Sequence, residues 1–232
     1  MAAGADRATH ARPGRAPHSE AIEDYAKAIY ALASRGDGPV GTSALAGRLG
    51  VTPATATAML KRLDERGLVR HAPYRGVTLT PAGERVALEV IRHHRLIESY
   101  LAEALGMPWD RVHEEAEVLE HYISEELEAL IADKLGEPSH DPHGDPIPGP
   151  GLEPPDDGGR PLSELVAGEE GTFARVSDAD PAMLRYLADR GIGPGVSLRV
   201  TGRQPFGGPL LVEADGREHA LGDALVRRIR VA

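Results

Sequence analysis

The segment Arg111–Ser124, with the sequence RVHEEAEVLEHYIS, constrains this chain more than any other stretch. Drawn as a helix, it places four potential cation ligands on one face: His113, Glu117, Glu120 and His121. Apolar residues such as Val112 and Ile123 would pack such a helix against the rest of the protein. Two imidazoles and two carboxylates are costly to crowd into one stripe unless a cation joins them. The segment therefore predicts a metal site.

A solvated acidic face is the alternative interpretation of this segment. Such a face normally carries basic partners at four-residue spacing, and the interior of this helix contains none. The metal interpretation is therefore favoured. The chain has no cysteine, which excludes disulfides, thiolate nucleophiles and sulfur-rich zinc sites. Any metal must be held by oxygen and nitrogen atoms.

The net charge of −10 is distributed unevenly over the 232 residues. Residues 1–75, 76–160 and 161–232 carry net charges of +4, −13 and −1. This distribution separates a basic function at the N-terminus from an acidic function in the middle of the chain. There is no apolar run of membrane-spanning length and no secretory signal, so we expect a cytoplasmic protein without a membrane partner.

The first third of the chain has the signals of a helix-turn-helix. Residues 1–17 lack periodicity and predict a disordered tail, and a helix with a regular apolar period follows from Ser19. A short helix is expected from Thr42 or Ser43 to Leu49, and Thr52-Pro53 gives a strong start signal for the next one. Two short helices joined by a tight glycine turn fit a helix-turn-helix.

A basic β-hairpin is expected directly after these helices. Apolar strands at Leu68-Val69 and Val77–Leu79 flank a turn that carries basic side chains. A helix-turn-helix followed by a basic hairpin is a winged helix, a fold used mostly on double-stranded DNA. The candidate DNA-contacting residues are Thr52, Pro53, Ala54, Thr55 and Thr57 at the start of the recognition helix, and the cations Lys61, Arg62, Arg70 and Arg75.

A long helix is expected from Thr80-Pro81 to about Leu105. His94 and Glu98 lie four residues apart on it and can chelate one cation together. Such pairs are often surface hydrogen bonds, but the His/Glu segment that follows supports a metal site. The continuation from Ile123 to Leu135 offers an apolar stripe that would serve as a homodimer interface.

The last third changes character. Residues 136–161 are rich in Pro, Gly and Asp and read mostly as linker, in which Asp141, His143 and Asp145 either add ligands or solvate a turn. Short β-runs and one helix, Pro181–Arg190, then predict a small β-barrel. The fold class is therefore mainly α with a small β domain. The expected divisions are a tail at 1–17, a winged helix at 18–84, a helical metal and dimerisation domain at 85–148, a linker at 149–161 and the barrel at 162–232.

At this point the chain resembles the diphtheria-toxin-repressor family of metal-dependent transcriptional repressors, in its manganese-responsive branch. The resemblance covers roughly residues 18–232. It is carried by the motifs EDYAKAIY, LGVTPATATAMLKRLDERGLV, YRGVTLTPAGE, RHHRLIE, VHEEAEVLEHYIS and DPHGDPIP. It implies a winged helix, a helical dimerisation and metal domain, and a barrel like that of the ferrous-transport accessory protein.

The resemblance also implies the ligands. A primary metal site would use Asp24, Glu117, Glu120 and His121, and an ancillary site would use His94, Glu98 and His113. An acid from the barrel and the DPHG turn would complete the ancillary site, with Asp178 or Asp180, Asp141 and His143 as the matching candidates. Short manganese-responsive relatives have a ligating Glu where this chain has Lys27, which favours two separate sites.

Iron-responsive relatives have Met and Cys where this chain has Asp24 and Glu117, and an all-oxygen-and-nitrogen set suits the harder Mn(II). The expected function is therefore a manganese-dependent repressor of metal-homeostasis genes, in which the cation orders a homodimer on operator DNA. Fe(II), Co(II) or Zn(II) are the alternative metals, and an iron- or zinc-responsive repressor is the alternative function.

Two other classes of protein are less consistent with the sequence. A metal buffer leaves the winged helix without a role. A metallohydrolase needs His at the fifth position of HEEAE, where Glu117 stands, so we expect no enzyme and no small organic substrate.

Overall fold

The computed structural model describes residues 18–34, 36, 38–72, 75–155 and 158–232. The tail expected at 1–17 lies outside these residues, as do residues 73 and 74 of the expected hairpin. The described chain divides into two compact units. Unit 1 contains the described residues up to Val90 together with His121–Lys134, and unit 2 contains Ile91–Glu120 together with Leu135–Ala232.

Unit 1 contains the winged helix, which confirms that prediction. Its elements are α1 (Glu20–Ala33), α2 (Thr42–Arg48), α3 (Pro53–Glu65), β1 (Val69–Ala72) and β2 (Gly76–Leu79). The β strands pair antiparallel, with Val69 opposite Leu79. The start of α3 is set locally, because the Thr52 hydroxyl accepts a hydrogen bond from the Thr55 amide (3.1 Å) and Pro53 occupies the first helical position. Side chains from all three helices, including Ile29, Leu45 and Leu60, form one buried core.

Three further helices follow: α4 (Pro81–Glu103), α5 (Val112–Leu119) and α6 (Glu125–Lys134). The expectation of one helix through Ser124 was wrong. Helix α5 ends at Leu119, Glu120 is its C-cap, and the chain turns before α6 begins. The Ser124 hydroxyl accepts a hydrogen bond from the Leu127 amide (3.2 Å), which favours a new helix start there. Within the described residues, no helix combines the length and the apolar character needed to cross a membrane.

The C-terminal part of unit 2 is built on a six-stranded sheet. Its elements are β3 (Arg160–Pro161), β4 (Glu170–Val176), α7 (Pro181–Ala188), β5 (Ser197–Arg203), β6 (Leu210–Ala214), β7 (Arg217–Leu221), α8 (Asp223–Val226) and β8 (Ile229–Val231). The strand order is β3-β8-β4-β5-β6-β7. The predicted small β domain is confirmed, but its sheet is open and does not close into a barrel, because β3 and β7 form two edges that do not pair with each other among the described strands.

Strand β7 was also not predicted from the sequence pattern. Only one of its five side chains, Leu221, is buried, so it lacks the apolar signal of an interior strand. It forms by pairing with β6, and the two strands are joined at Asp215 and Gly216, which both have positive φ. The core beneath the sheet contains Phe173, Leu184 and Leu198 among its buried side chains.

Candidate metal centre

In unit 1, His121 lies between two carboxylates of α1. Its Nε2 atom is 3.1 Å from Asp24 Oδ1, and its Nδ1 atom is 2.7 Å from Glu23 Oε2. The Asp24 side chain is 41% exposed, whereas the side chains of His121 and Glu23 are nearly inaccessible to solvent. The structure thus brings together the predicted pair Asp24 and His121. Glu23 was not among the ligands predicted from the sequence, although its place next to Ile22 on the buried side of α1 marks it as an unusual acid.

In unit 2, His94 of α4 faces the acids at the end of α5. Its Nδ1 atom is 2.5 Å from Glu120 Oε2 and 3.7 Å from Glu117 Oε1. The Glu120 carbonyl oxygen also lies 3.2 Å from Nδ1 of the neighbouring His93. Glu120 is buried, and its position as the C-cap of α5 brings its backbone and its side chain toward α4.

The other ring nitrogen of His94 belongs to a second group in unit 2. His94 Nε2 is 3.0 Å from Glu98 Oε1 and 3.1 Å from His113 Nδ1. His113 Nδ1 is also 3.0 Å from Asp178 Oδ2 and 3.3 Å from Glu98 Oε1. Asp178 lies in the loop after β4, so the C-terminal sheet supplies one carboxylate to this group. The predicted ancillary residues thus lie together, with Asp178 added to them.

A third group is formed by the DPHG turn. The Asp141 side chain accepts hydrogen bonds through Oδ1 from the amides of His143 (2.8 Å) and Asp145 (2.9 Å), which holds the turn closed. His143 is fully buried, and its Nδ1 atom faces Glu98 Oε2 at 3.6 Å. Ligand atoms of Glu98, Asp141 and His143 all lie within 4.8 Å of one another.

Asp180, the other candidate from this loop, does not join any of these groups. Its Oδ1 atom accepts hydrogen bonds from the amides of Ala182 (3.0 Å) and Met183 (3.4 Å). It therefore serves as the N-cap of α7, in front of Pro181. Asp178 and Asp180 therefore have different roles although they are only two residues apart, and only the tertiary structure distinguishes these roles.

Electrostatics in unit 2 indicate a site that attracts cations. Hydrogen bonds that His113 donates to the Asp178 and Glu98 carboxylates raise the pKa of His113 to about 10. Burial alone would raise the pKa of Asp178, but the partner His113 outweighs it and lowers that pKa to about 2. Burial and the nearby Glu98 and Asp145 carboxylates raise the pKa of Asp141 well above its usual value. In the metal-free protein, His113 therefore supplies the positive charge that faces Asp178 and Glu98, a part that a bound divalent cation can take over.

The side chains present fit a divalent cation. Two buried atoms that face each other, Glu98 Oε2 and His143 Nδ1, have no hydrogen-bond partner within the described part of the chain. The donors of all these groups are imidazole nitrogens and carboxylate oxygens, the set that first-row divalent cations accept. The His143 Nε2 atom donates to the Trp109 carbonyl oxygen at 2.7 Å, an arrangement common behind metal-bound histidines.

The candidate DNA-contacting residues all lie on the winged helix of unit 1. The five residues at the start of α3 are exposed, and so are Lys61, Arg62, Arg70 and Arg75. The Thr57 hydroxyl donates to the Pro53 carbonyl oxygen (2.8 Å), so this hydroxyl is already engaged within the helix. Lys61 has an exposed partner, Glu65, at 3.9 Å, a weak contact that a phosphate can replace.

The raised pKa of His113 predicts a pH-dependent stability in the metal-free protein. A folded-state pKa raised from 6.5 to about 10 stabilises the fold fully below pH 6.5, and the stabilisation is lost as the pH rises through the folded value. In chelator, we expect His113→Gln to lower the melting temperature most at the acidic end of this window and least at the alkaline end. Thermal unfolding across the window checks this, with the exposed His140→Gln as control. A difference from the unsubstituted chain that stays constant with pH would contradict the prediction.

The fold and the ligand groups define a class: a DNA-binding regulator whose helical part has the chemistry of a cation site. Comparison with known proteins specifies it further. Residues 18–77 match the model of the iron dependent repressor N-terminal DNA binding domain, and residues 80–149 match its metal binding and dimerisation domain. Residues 160–232 match the FeoA domain. The chain belongs to the diphtheria-toxin-repressor family of metal-dependent transcriptional repressors.

Individual relatives span nearly the whole chain. The diphtheria toxin repressor of Corynebacterium glutamicum is 30% identical over 222 residues, which are 91% of this chain and 96% of that protein. A solved manganese-dependent transcriptional repressor in complex with manganese is 45% identical, with a TM-score of 0.84 over 91% of this chain and 99% of that one. The structure of ScaR with bound Zn²⁺ is 32% identical, with a TM-score of 0.75 over 91% of this chain and 98% of that one.

Proposed function

We propose that this protein is a manganese-dependent repressor of metal-homeostasis genes, which acts in the cytoplasm as a homodimer on double-stranded operator DNA. The observation that carries the proposal is the chemistry of the ligand groups: imidazole and carboxylate donors only, gathered around His94, Glu98 and His121. Oxygen-rich sets without sulfur suit Mn(II). The 45% identical relative described as manganese-dependent supports the same choice.

The proposed primary ligands are Asp24, Glu117, Glu120 and His121, and the proposed ancillary ligands are His94, Glu98 and His113 with Asp178 and the DPHG turn. When bound, a divalent cation neutralises the carboxylates and holds its ligands in one arrangement. The Asp24 and Glu23 carboxylates converge on the one imidazole of His121. Repulsion between these two carboxylates makes the metal-free arrangement less favourable. Binding free energy that favours one arrangement of the chain is then available to favour DNA binding.

An iron- or zinc-responsive repressor is the second candidate function. Several curated relatives are named for iron, and ScaR has been solved with zinc. Zn(II) would bind nitrogen and oxygen ligands more tightly than Mn(II) in a test tube, so affinity alone does not decide between them. The decisive quantity is which metal supports specific DNA binding.

The homodimer proposal rests on the apolar side chains that unit 1 exposes on and next to α6. Leu130 is 59% exposed, Leu127 is 45% exposed and Tyr122 is 70% exposed. Leu127 and Leu130 are three residues apart and therefore lie on one side of the helix, whereas Ile131 packs inward. This pattern fits burial against a second copy, and it falls within the residues that match the dimerisation model.

The cations of α3 and the hairpin are proposed to bind phosphates. We expect Arg62→Ala to weaken operator binding about tenfold for all sequences alike, and to reduce the salt slope of log affinity by about 1. Arg217→Ala on β7 is the control, because it removes the same charge from an exposed position of unit 2. Fluorescence anisotropy at several salt concentrations measures both quantities. An unchanged salt slope in Arg62→Ala would remove this residue from the interface.

The function itself is tested by retention of fragmented genomic DNA on the purified protein with Mn(II), anaerobic Fe(II), Zn(II) or chelator. Recovery of a few specific fragments with Mn(II) supports the proposal and yields the operator. Recovery with Fe(II) alone would place the protein among iron-responsive repressors. Equal recovery with chelator would show that DNA binding does not depend on a metal.

A further inference from the structure

Glu98 lies between two different groups of ligands in unit 2. Its side chain has no exposure, and its two oxygens face opposite partners. Oε1 is 3.0 Å from His94 Nε2 and 3.3 Å from His113 Nδ1. Oε2 faces His143 Nδ1 at 3.6 Å and has no hydrogen-bond partner among the described residues. One carboxylate thus contributes an oxygen to each of two sets of donors.

The hydrogen bonding of His143 shows what its Nδ1 atom offers. The Nε2 atom donates to the Trp109 carbonyl oxygen (2.7 Å), so Nε2 keeps its proton and Nδ1 is the atom left to bind a cation. The Nδ1 atom and Glu98 Oε2 face each other in a buried site, and neither has a hydrogen-bond partner in the described part of the chain. The separation of 3.6 Å is also too long for a hydrogen bond between them. Two donors of one cation with bond lengths of about 2.2 Å lie about 3–3.6 Å apart, which fits this pair.

Asp141 supplies a third donor on this side of Glu98. Its Oδ1 atom is fixed by two backbone amides, and it lies 4.0 Å from His143 Nδ1. Its Oδ2 atom is 3.8 Å from Arg95 Nε, but Arg95 also donates to the Pro146 carbonyl oxygen and lies 3.8 Å from Asp145. The guanidinium is therefore shared among several acceptors and does not by itself neutralise Asp141.

We propose that the ancillary ligands form two adjacent cation positions that share Glu98 as a bridging carboxylate. One position is formed by His94, Glu98 Oε1, His113 and Asp178, and the other by Glu98 Oε2, Asp141 and His143. The inference rests on the proposed function only in requiring that the protein binds a divalent cation. It assigns the DPHG turn a cation of its own, in place of a supporting part in a single site.

The chain contains a built-in reporter for the second position. Trp109 is the sole tryptophan, and its ring stacks on the His143 ring with centroids 5.8 Å apart and an interplanar angle of 21°. A cation on His143 Nδ1 changes the charge and the electronic state of a ring in contact with the indole. The emission of Trp109 therefore reports cation binding at this second position directly, and it requires neither DNA nor a cation at any other site.

The test counts bound Mn(II) per chain by electron paramagnetic resonance of the free ion in the full-length chain, for His113→Ala, His143→Ala and the double variant. Two positions predict that each single variant binds one ion fewer and that the double variant binds two fewer. Asp141→Asn keeps the shape of the turn and should also lose one ion, which covers the case that His143→Ala does not fold. The exposed His140→Ala is the control and should bind as many ions as the unsubstituted chain.

The second readout is the change in Trp109 emission on adding Zn(II), a diamagnetic probe that does not quench by itself. We expect a saturable change in the unsubstituted chain and in His113→Ala, and none in His143→Ala. A double variant that binds only one ion fewer would mean a single shared cation and overturn the inference, as would an emission change that persists in His143→Ala. Either result leaves metal-dependent DNA retention intact, whereas a chain that binds no Mn(II) at all would instead refute the proposed function.

Discussion

Asp24→Asn is expected to reduce Mn(II)-dependent operator affinity by about 100-fold, near the upper end of the range for coupling between two ligands. Asparagine keeps the size of the side chain and an oxygen near His121 Nε2, which lies 3.1 Å from Asp24 Oδ1, so the fold of unit 1 should survive. The variant loses the negative charge that makes this oxygen a good ligand for a hard cation. Operator affinity by fluorescence anisotropy, with Mn(II) and with chelator, measures the effect.

Glu20→Gln is the matched control for this prediction. Glu20 is on the same helix α1, four residues earlier, and it is exposed and accepts a hydrogen bond from the Tyr122 hydroxyl. The substitution removes the same charge from the same helix without touching His121. We expect Mn(II)-dependent affinity close to that of the unsubstituted chain. If Asp24→Asn retained full Mn(II)-dependent binding, the role of Asp24 as a primary ligand would be refuted.

Gly144→Ala is expected to destabilise unit 2 by about 3 kcal/mol or more, an effect of the size seen for steric overlap of backbone atoms in a packed region. Gly144 has φ of +86°, and a Cβ atom there would lie 1.9 Å from the Ala174 carbonyl oxygen and 2.9 Å from Arg175 Cα. The clash would separate the DPHG turn from β4, where the His143 carbonyl oxygen accepts from the Val176 amide (3.0 Å). Urea unfolding followed by Trp109 emission reports on this part of the chain.

Gly136→Ala separates the clash from the backbone strain. Gly136 also has a positive φ, of +75°, but a Cβ atom there would meet nothing within 4 Å. We expect it to cost only the strain of a left-handed alanine, about 1 kcal/mol. Equal losses in the two variants would show that the approach of the turn to β4 is unimportant for stability. Loss of the Zn(II)-induced emission change in Gly144→Ala would follow from displacement of His143.

The winged helix could be predicted because its signals are local. The N-cap Thr52, the following Pro53 and the glycine turn act within a few residues, and local hydrogen bonds decide them whatever the rest of the chain does. The same holds for His94 and Glu98, whose four-residue spacing on a helix brings their side chains together. The sequence failed where an element depends on a distant partner. Strand β7 forms because it pairs with β6 through backbone hydrogen bonds, and the sheet stays open because its edge strands β3 and β7 do not pair with each other.

The segment from residue 111 to residue 124 shows both outcomes. Its composition indicated a cation site, and its periodicity predicted one continuous helix. The helix instead ends at Leu119, so Glu120 turns toward His94 while His121 leads into the turn before α6. A chain with a serine N-cap at residue 124 can restart a helix there, and tertiary packing decided that it does.

By itself, the sequence determined the chemistry of this protein: the absence of sulfur ligands, the inventory of imidazoles and carboxylates, the separation of basic and acidic regions, and the local helix signals of a DNA-binding domain. Only the tertiary structure decided which of these groups meet. It paired Asp178 with His113 and left Asp180 as a helix cap, it placed Glu23 against His121, and it set His143 opposite the second oxygen of Glu98. Ligand type is a property of each residue, whereas contact between residues far apart in the chain depends on how buried surfaces pack.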